Sequence, residues 1–215
     1  MAIIPHILNA SGHFDPHIDL LEVQIELAIR AVSEKLSLDA DVCINHSPAH
    51  SNPVLGIGGA AFSPNLIHIN LDARHENFDS AVNVELLAVL AHESHHCKRI
   101  ASIPDDHSLI GSIATEGLAC RFELEVAGGD GPSFIPGSVL ARTDELLSAM
   151  KPDLEQTDYC YETYFLGKDT KTYPKYAGFA VGFDIVGRFL EHEGMLAAEA
   201  ASVPAQAFLP YAKAR

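Results

Sequence analysis

Leu86–Arg99, LLAVLAHESHHCKR, decides how this chain is read, because it sets His92, Glu93 and His96 in the order H-E-x-x-H inside a run without Gly or Pro. Residues four apart on an α-helix differ by about 40° of rotation and about 6 Å of rise, so imidazoles at i and i+4 can reach one ion from one face. Glu93 lies about 100° round from His92 and can take a proton from a water on the open side of such an ion. The pattern is that of a zinc-hydrolase helix. Upstream, Asp79 and Ser80 are good N-caps, and Ala81–Ala91 is apolar nearly all round, which predicts a buried helix running into the motif.

A second carboxylate is expected from the next helix. Ser108 caps a run to Val126 that Gly128 and Gly129 stop, and Glu116 lies on it, twenty residues after His96. Two helices joined by a loop of this length can pack antiparallel, and two His with one Glu is a standard catalytic zinc set. Gly117 and Ala119 leave room for close helix approach. Glu123 shares the face of Glu116 but lies about 10 Å further along the axis, so it is assigned to the surroundings of the site or to the surface. Cys97 and Cys120 are read as packing residues, His95 as a group that supports the site from behind or is exposed, and His68 and His75 as strand-face or loop histidines.

Length and charge bound the rest. At 215 residues the chain is long enough to bury about 70% of its unfolded surface, and one domain over 1–215 is expected, with a strand-rich part at 1–78 and a mainly helical part at 79–215. With 14 basic against 29 acidic residues the net charge is -15, which would repel phosphate backbones, so no nucleic-acid partner is expected. Four scattered cysteines, no membrane-length apolar run and an N-terminal stretch without a basic n-region lead us to expect a cytoplasmic protein with no membrane partner. Nothing in the residues sets the oligomeric state.

Taken in order, residues 2–9 read as a strand, and Asp15 with Pro16 opens a long amphipathic helix on Ile18, Leu21, Ile25, Ala28, Ile29, Val32 and Leu36. Asp41–Asn45 reads as a second strand. Ser47–Pro64, with GIGGAAFSP, reads as a loop, and Leu66–Asp72 as an edge strand to which a substrate backbone could add. Beyond the two motif helices, helices are expected at Ser138–Met150, Asp153–Phe165 and Tyr176–Glu193, the last ended by Gly194.

HESHHCKR, then TEGLACRFE, then YAGFAVGFDIVGRFLE resembles a bacterial family of predicted zinc-dependent proteases patterned H-E-x-x-H-x-x-R, E-G-L-A and a glycine–aromatic segment. The likeness covers roughly residues 66–209. It implies a gluzincin-like set in which His92, His96 and Glu116 hold one zinc ion per chain and Glu93 is the catalytic base. Arg99 matches the arginine of the first motif. The chain departs from the family where Phe179 and Phe183 follow the glycines in place of tyrosine. A hydroxyl that steadies the oxyanion must then come from elsewhere; Tyr176 is the candidate of choice, with Tyr173 and His107 behind it.

Residues and resemblance together predict an α+β chain of zincin-like metalloprotease fold, a small N-terminal sheet with a long helix followed by a helical half. The expected activity is hydrolysis of peptide bonds in peptide or protein substrates. The alternative is a catalytically silent zinc-binding protein of the same fold, acting as a binding or regulatory module. A di-iron bundle would need a second E-x-x-H, and a metzincin would need Gly and His where Arg99 and Ser102 stand.

Overall fold

The computed structural model describes residues 2–213, so Met1, Ala214 and Arg215, the ends of the expected 1–215 domain, lie outside the described residues. The chain is α+β and divides into two compact units: residues up to Ala101 with Phe122–Gly129, and Ser102–Arg121 with the residues from Asp130 onward. Among the described residues no helix is long and apolar enough to cross a membrane.

The first unit is built on a four-stranded mixed sheet. Strands β1 (Ile3–Leu8), β2 (Ala40–His46), β3 (Ile57–Ser63) and β4 (Leu66–Leu71) are ordered β1-β2-β4-β3. The β1–β2 and β2–β4 pairs are parallel, and β3–β4 is antiparallel. Alternation buries Val42, Ile44, Ile67, Ile69 and Leu71. Helix α1 (Ile18–Lys35) crosses over from β1 to β2 and buries Leu21, Ile25, Ala28 and Val32, a stripe at the spacing read from the sequence. Each such aliphatic side chain contributes about 1.5–3 kcal/mol.

Two expectations fail here, for one physical reason. Residues 57–63 are a strand and not loop, and because β3 pairs on the outer side of β4, β4 is internal and the edges are β1 and β3. The glycines of GIGG were read as turn residues, yet only Gly56 has positive φ. Gly58 and Gly59 serve close approach: a Cβ at Gly58 would lie 2.7 Å from the His50 carbonyl oxygen, and one at Gly59 would lie 2.6 Å from Cγ of Glu93.

The motif helix begins with one turn, α2 (Phe78–Ser80), passes through a π-helical turn at Ala81–Glu85 and continues as α3 (Leu86–Ser102). Asp79 and Ser80 fall inside the first turn and are not its caps. Helix α4 (Leu109–Ala127) starts as expected, with the Ser108 hydroxyl accepting the Gly111 N–H at 3.1 Å. Its residues from Phe122 belong to the first unit and those up to Arg121 to the second.

The second unit carries α5 (Gly137–Leu140), α6 (Thr143–Met150), a π-turn at Glu162–Leu166 and α7 (Ala177–Glu193), which Gly194 ends in the left-handed conformation. The single helix expected over 138–150 is broken between α5 and α6. The helix expected at 153–165 is formed only in part: a 3-10 turn ends at Asp153 and helical geometry resumes at Tyr161, while the Tyr159 hydroxyl bonds to that of Ser112 on α4 and Tyr164 reaches back to the Asp153 carboxylate. Helices α4 and α7 touch backbone to backbone. A Cβ at Gly117 would lie 2.3 Å from the Gly182 carbonyl oxygen, and one at Gly182 would lie 2.3 Å from that of Ile113. Gly117 therefore serves contact with α7.

Candidate metal centre

Helix α3 presents His92 and His96 one turn apart with ring centroids 4.6 Å apart and planes at 81°. His92 is nearly buried, and its Nδ1 is held by a short hydrogen bond to the carboxylate of Glu123, itself buried on the last turns of α4. Since a carboxylate only accepts, Nδ1 carries the proton and donates, and in the neutral ring the lone pair resides on Nε2. Carboxylate–histidine pairs of this kind fix the tautomer and orientation of metal-ligating imidazoles. Glu123 thus belongs to the surroundings of the site, one of the two places read for it from the sequence.

Glu93 is 7% exposed and lies between α3 and the edge strand, its Oε1 2.8 Å from where a Gly59 Cβ would stand. Only a residue without a side chain at 59 leaves the carboxylate this place. The next turn of α3 closes on the same strand. Cys97 is fully buried and donates its S–H to the Ser63 carbonyl at 3.1 Å; burial, reinforced by the charge of Glu93, pushes its thiol up to about 12. Full burial with the S–H engaged by strand backbone agrees with its reading as a packing residue. His95 is fully buried, its ring 5.7 Å from that of Phe122, and Arg99 is buried at the end of the motif.

The first unit therefore brings together His92, Glu93 and His96, with Glu123 behind them. Glu116 and Tyr176 are carried by the second unit. There the Tyr161 hydroxyl donates to Oε1 of Glu116 at 2.9 Å. Tyr176 stands at the N-cap of α7 with φ of 72°, the one positive-φ residue other than glycine among the described residues. Its ring meets Phe134 edge-on at 5.3 Å, and its N–H donates to the Phe165 carbonyl at 2.9 Å. Of the other donor candidates, Tyr173 is buried against Tyr164, and His107 is exposed with Asp105 3.3 Å away. Phe179 packs edge-on against Phe134 and Phe165, and Phe183 lies under the Arg121 guanidinium at 3.7 Å.

Two residues of consequence escaped the sequence reading. Gly59 was hidden in a stretch taken for loop. Tyr161 was hidden in a stretch taken for helix, where the alternation Tyr159–Cys160–Tyr161 was the available signal.

The donor chemistry fits a divalent ion of zinc's type: two imidazoles at helical spacing, one of them held through Nδ1 by a buried carboxylate. Comparison with known proteins agrees in kind. A family model described as predicted Zn-dependent protease matches residues 25–210. The uncharacterized protein YjaZ of Bacillus subtilis (strain 168) is 28% identical over 130 residues, which cover 57% of this chain and 49% of that protein. The match thus spans about half the length of that curated relative. No solved structure matches the chain.

Proposed function

This chain belongs to the family described as predicted Zn-dependent proteases, and on that premise we propose that it is a zinc-dependent peptidase of zincin-like fold in which Glu93 is the general base. The observation that carries the reading is the His92–Glu123 hydrogen bond, which holds a histidine of the H-E-x-x-H helix in a metal-ligating tautomer beside His96.

His92 and His96 would hold one zinc ion per chain, with Glu116 as the third ligand. A bound zinc would supply Lewis acidity, polarising the scissile carbonyl and making a water acidic enough to attack at neutral pH. Glu93 accepts the proton of the attacking water and returns it to the leaving amine. Its burial against Gly59 keeps the carboxylate dry and confined to few rotamers, which favours proton transfer along one direction.

The edge strand β3 gives the substrate its place. A peptide adding beside β3 would extend the sheet past Gly58 and Gly59, the point at which Glu93 meets the strand. Tyr176 is the proposed donor to the tetrahedral oxyanion. Its left-handed backbone costs about 1–2 kcal/mol for a residue with a Cβ, a strain of the kind that clusters at active sites. The same proposal places the protein in the cytoplasm, where its four cysteines remain free.

Phe179 and Phe183 keep a second reading in play, a zinc-binding module without hydrolysis, because both rings are engaged in packing where a hydroxyl was expected. One experiment separates the two. Wild type and Glu93→Gln are compared for zinc content by elemental analysis and for cleavage of a peptide pool by mass spectrometry. A peptidase binds about one zinc in both and cleaves only as wild type. Zinc without cleavage in either selects the silent module, and no zinc in wild type after zinc is offered removes both.

A further inference from the structure

The second unit holds a contact that neither the motif nor the family reading assigns. Ser112 and Glu116 are four residues apart on α4 and so lie on one face about 6 Å apart along its axis. Two tyrosines two residues apart in sequence reach them: the Tyr159 and Ser112 hydroxyls are 2.5 Å apart, and the Tyr161 hydroxyl donates to Oε1 of Glu116 at 2.9 Å. An extended chain advances about 6.6 Å in two residues, which matches the rise of one helical turn. This match fits the break in the helix expected at 153–165. Tyr159 and Cys160 lie outside regular structure, and helical geometry resumes only at Tyr161.

The ring of Tyr161 is fixed independently of its hydroxyl, since it stacks on Phe165 with centroids 4.3 Å apart and planes 7° from parallel. Phe165 in turn is fully buried against Gly178 of α7. The hydroxyl is thus delivered to Glu116 by a stacked ring on a packed aromatic base.

We infer that Tyr161 is a positioning residue for metal binding: its hydroxyl holds the Glu116 carboxylate through Oε1 and so fixes its orientation. The inference rests on the assignment of Glu116 as the third ligand. A carboxylate bonded in this way has lost rotational freedom before an ion arrives, so less is lost on binding. Outer hydrogen bonds of this type are worth about ten- to hundredfold in metal affinity when removed.

The test is zinc affinity of the full chain, measured by competition with a chromophoric chelator, in wild type, Tyr161→Phe, Tyr159→Phe, Glu116→Ala and the Tyr161→Phe/Glu116→Ala pair. Phenylalanine at 161 keeps the stack on Phe165, and thermal unfolding of the metal-free proteins confirms that folding is retained. The expected result is a loss of about tenfold or more in Tyr161→Phe, less than about threefold in Tyr159→Phe, and no further loss when Tyr161→Phe is added to Glu116→Ala. Equal losses at 159 and 161 would assign the effect to the segment and overturn the inference, as would additive losses in the double variant. Wild-type affinity in Tyr161→Phe with weakened binding in Glu116→Ala overturns the inference alone. Wild-type affinity in Glu116→Ala overturns the ligand assignment beneath it.

Discussion

Replacing Gly59 by alanine tests whether the edge strand sets the carboxylate of Glu93, the proposed general base. Gly59 lacks the positive φ of Gly56, so alanine costs nothing in backbone geometry and its effect is steric. The new Cβ would stand 2.6 Å from Cγ of Glu93, 2.8 Å from its Oε1 and 2.8 Å from Cγ1 of Val89. Carbon atoms settle at about 3.5–4.0 Å, so the Glu93 stem must retreat by about 1 Å or β3 must bow outward by the same amount. Overpacking of this size costs about 1–3 kcal/mol, and the lower chain entropy of alanine returns about 0.4–1 kcal/mol. At about 2–4 °C per kcal/mol for a chain of this size, Tm should fall by no more than about 10 °C. A displacement of about 1 Å at a general base costs about a hundredfold in rate. The expected outcome for Gly59→Ala is therefore a folded protein with wild-type zinc content and kcat lowered about a hundredfold on any peptide the wild type cleaves. A calorimetric cycle reads the same contact without catalysis: the destabilisation by Gly59→Ala should shrink when Glu93→Ala has removed the side chain it meets. Activity within about threefold of wild type, or a destabilisation indifferent to Glu93→Ala, would refute the reasoning.

Three further outcomes follow from other contacts. Glu123→Ala removes the acceptor of the His92 Nδ1 proton and should weaken zinc binding about ten- to hundredfold in a chelator titration, whereas Glu123→Gln, which keeps an acceptor, should lose less; equal losses would show that charge and not the hydrogen bond matters. The Cys97 thiol, raised from 9.0 to about 12 by burial, stays protonated in the fold while the unfolded chain ionises, so its contribution to stability is complete below pH 9 and is lost as pH rises from 9 to about 12. Denaturant unfolding across that window should show this loss in wild type and a flatter profile in Cys97→Ala; identical profiles would contradict it. Gly182→Ala would press a Cβ against the Ile113 carbonyl at 2.3 Å, where backbone cannot yield cheaply, and should destabilise by about 3 kcal/mol or more in thermal unfolding, against no measurable loss for Gly137→Ala, which opens on empty space.

Elements with periodic signals were legible in advance. Helix α1 declares itself by apolar spacing after Asp15–Pro16, α4 by its Ser108 cap, and α7 by the run that Gly194 ends. The H-E-x-x-H spacing likewise predicts that His92 and His96 share a face, and they do. What escaped was every feature whose cause lies across the fold. Residues 57–63 read as loop because glycine is the commonest turn residue, and nothing nearby in sequence announces that Glu93, more than thirty residues on, needs the space. Residues 153–165 read as helix because the periodicity permits it; the tyrosine hydroxyls that pull the stretch away find their partners on α4, more than forty residues earlier.

The two failures differ in what would have corrected them. For GIGGAAFS the residues after the glycines already alternate weakly and precede a strand by a two-residue turn, so a hairpin was available, and the glycines then had to mean close approach. That inference also points at what approaches: on an edge strand beside a buried helix, the helix residue met by a bare backbone is one whose position matters more than the packing lost at the glycine. Applied to this chain it selects Gly59 and through it Val89 and Glu93, the second of which the spacing of the motif selects on chemical grounds alone. The carboxylate common to the steric and the chemical reading is that of Glu93. For Tyr159 and Tyr161 no local rule suffices, because an aromatic pair at i and i+2 fits a strand, a helix end or a loop equally well. Only the matching pair at i and i+4 on another helix, Ser112 and Glu116, distinguishes them, and that pairing becomes visible once α4 is folded.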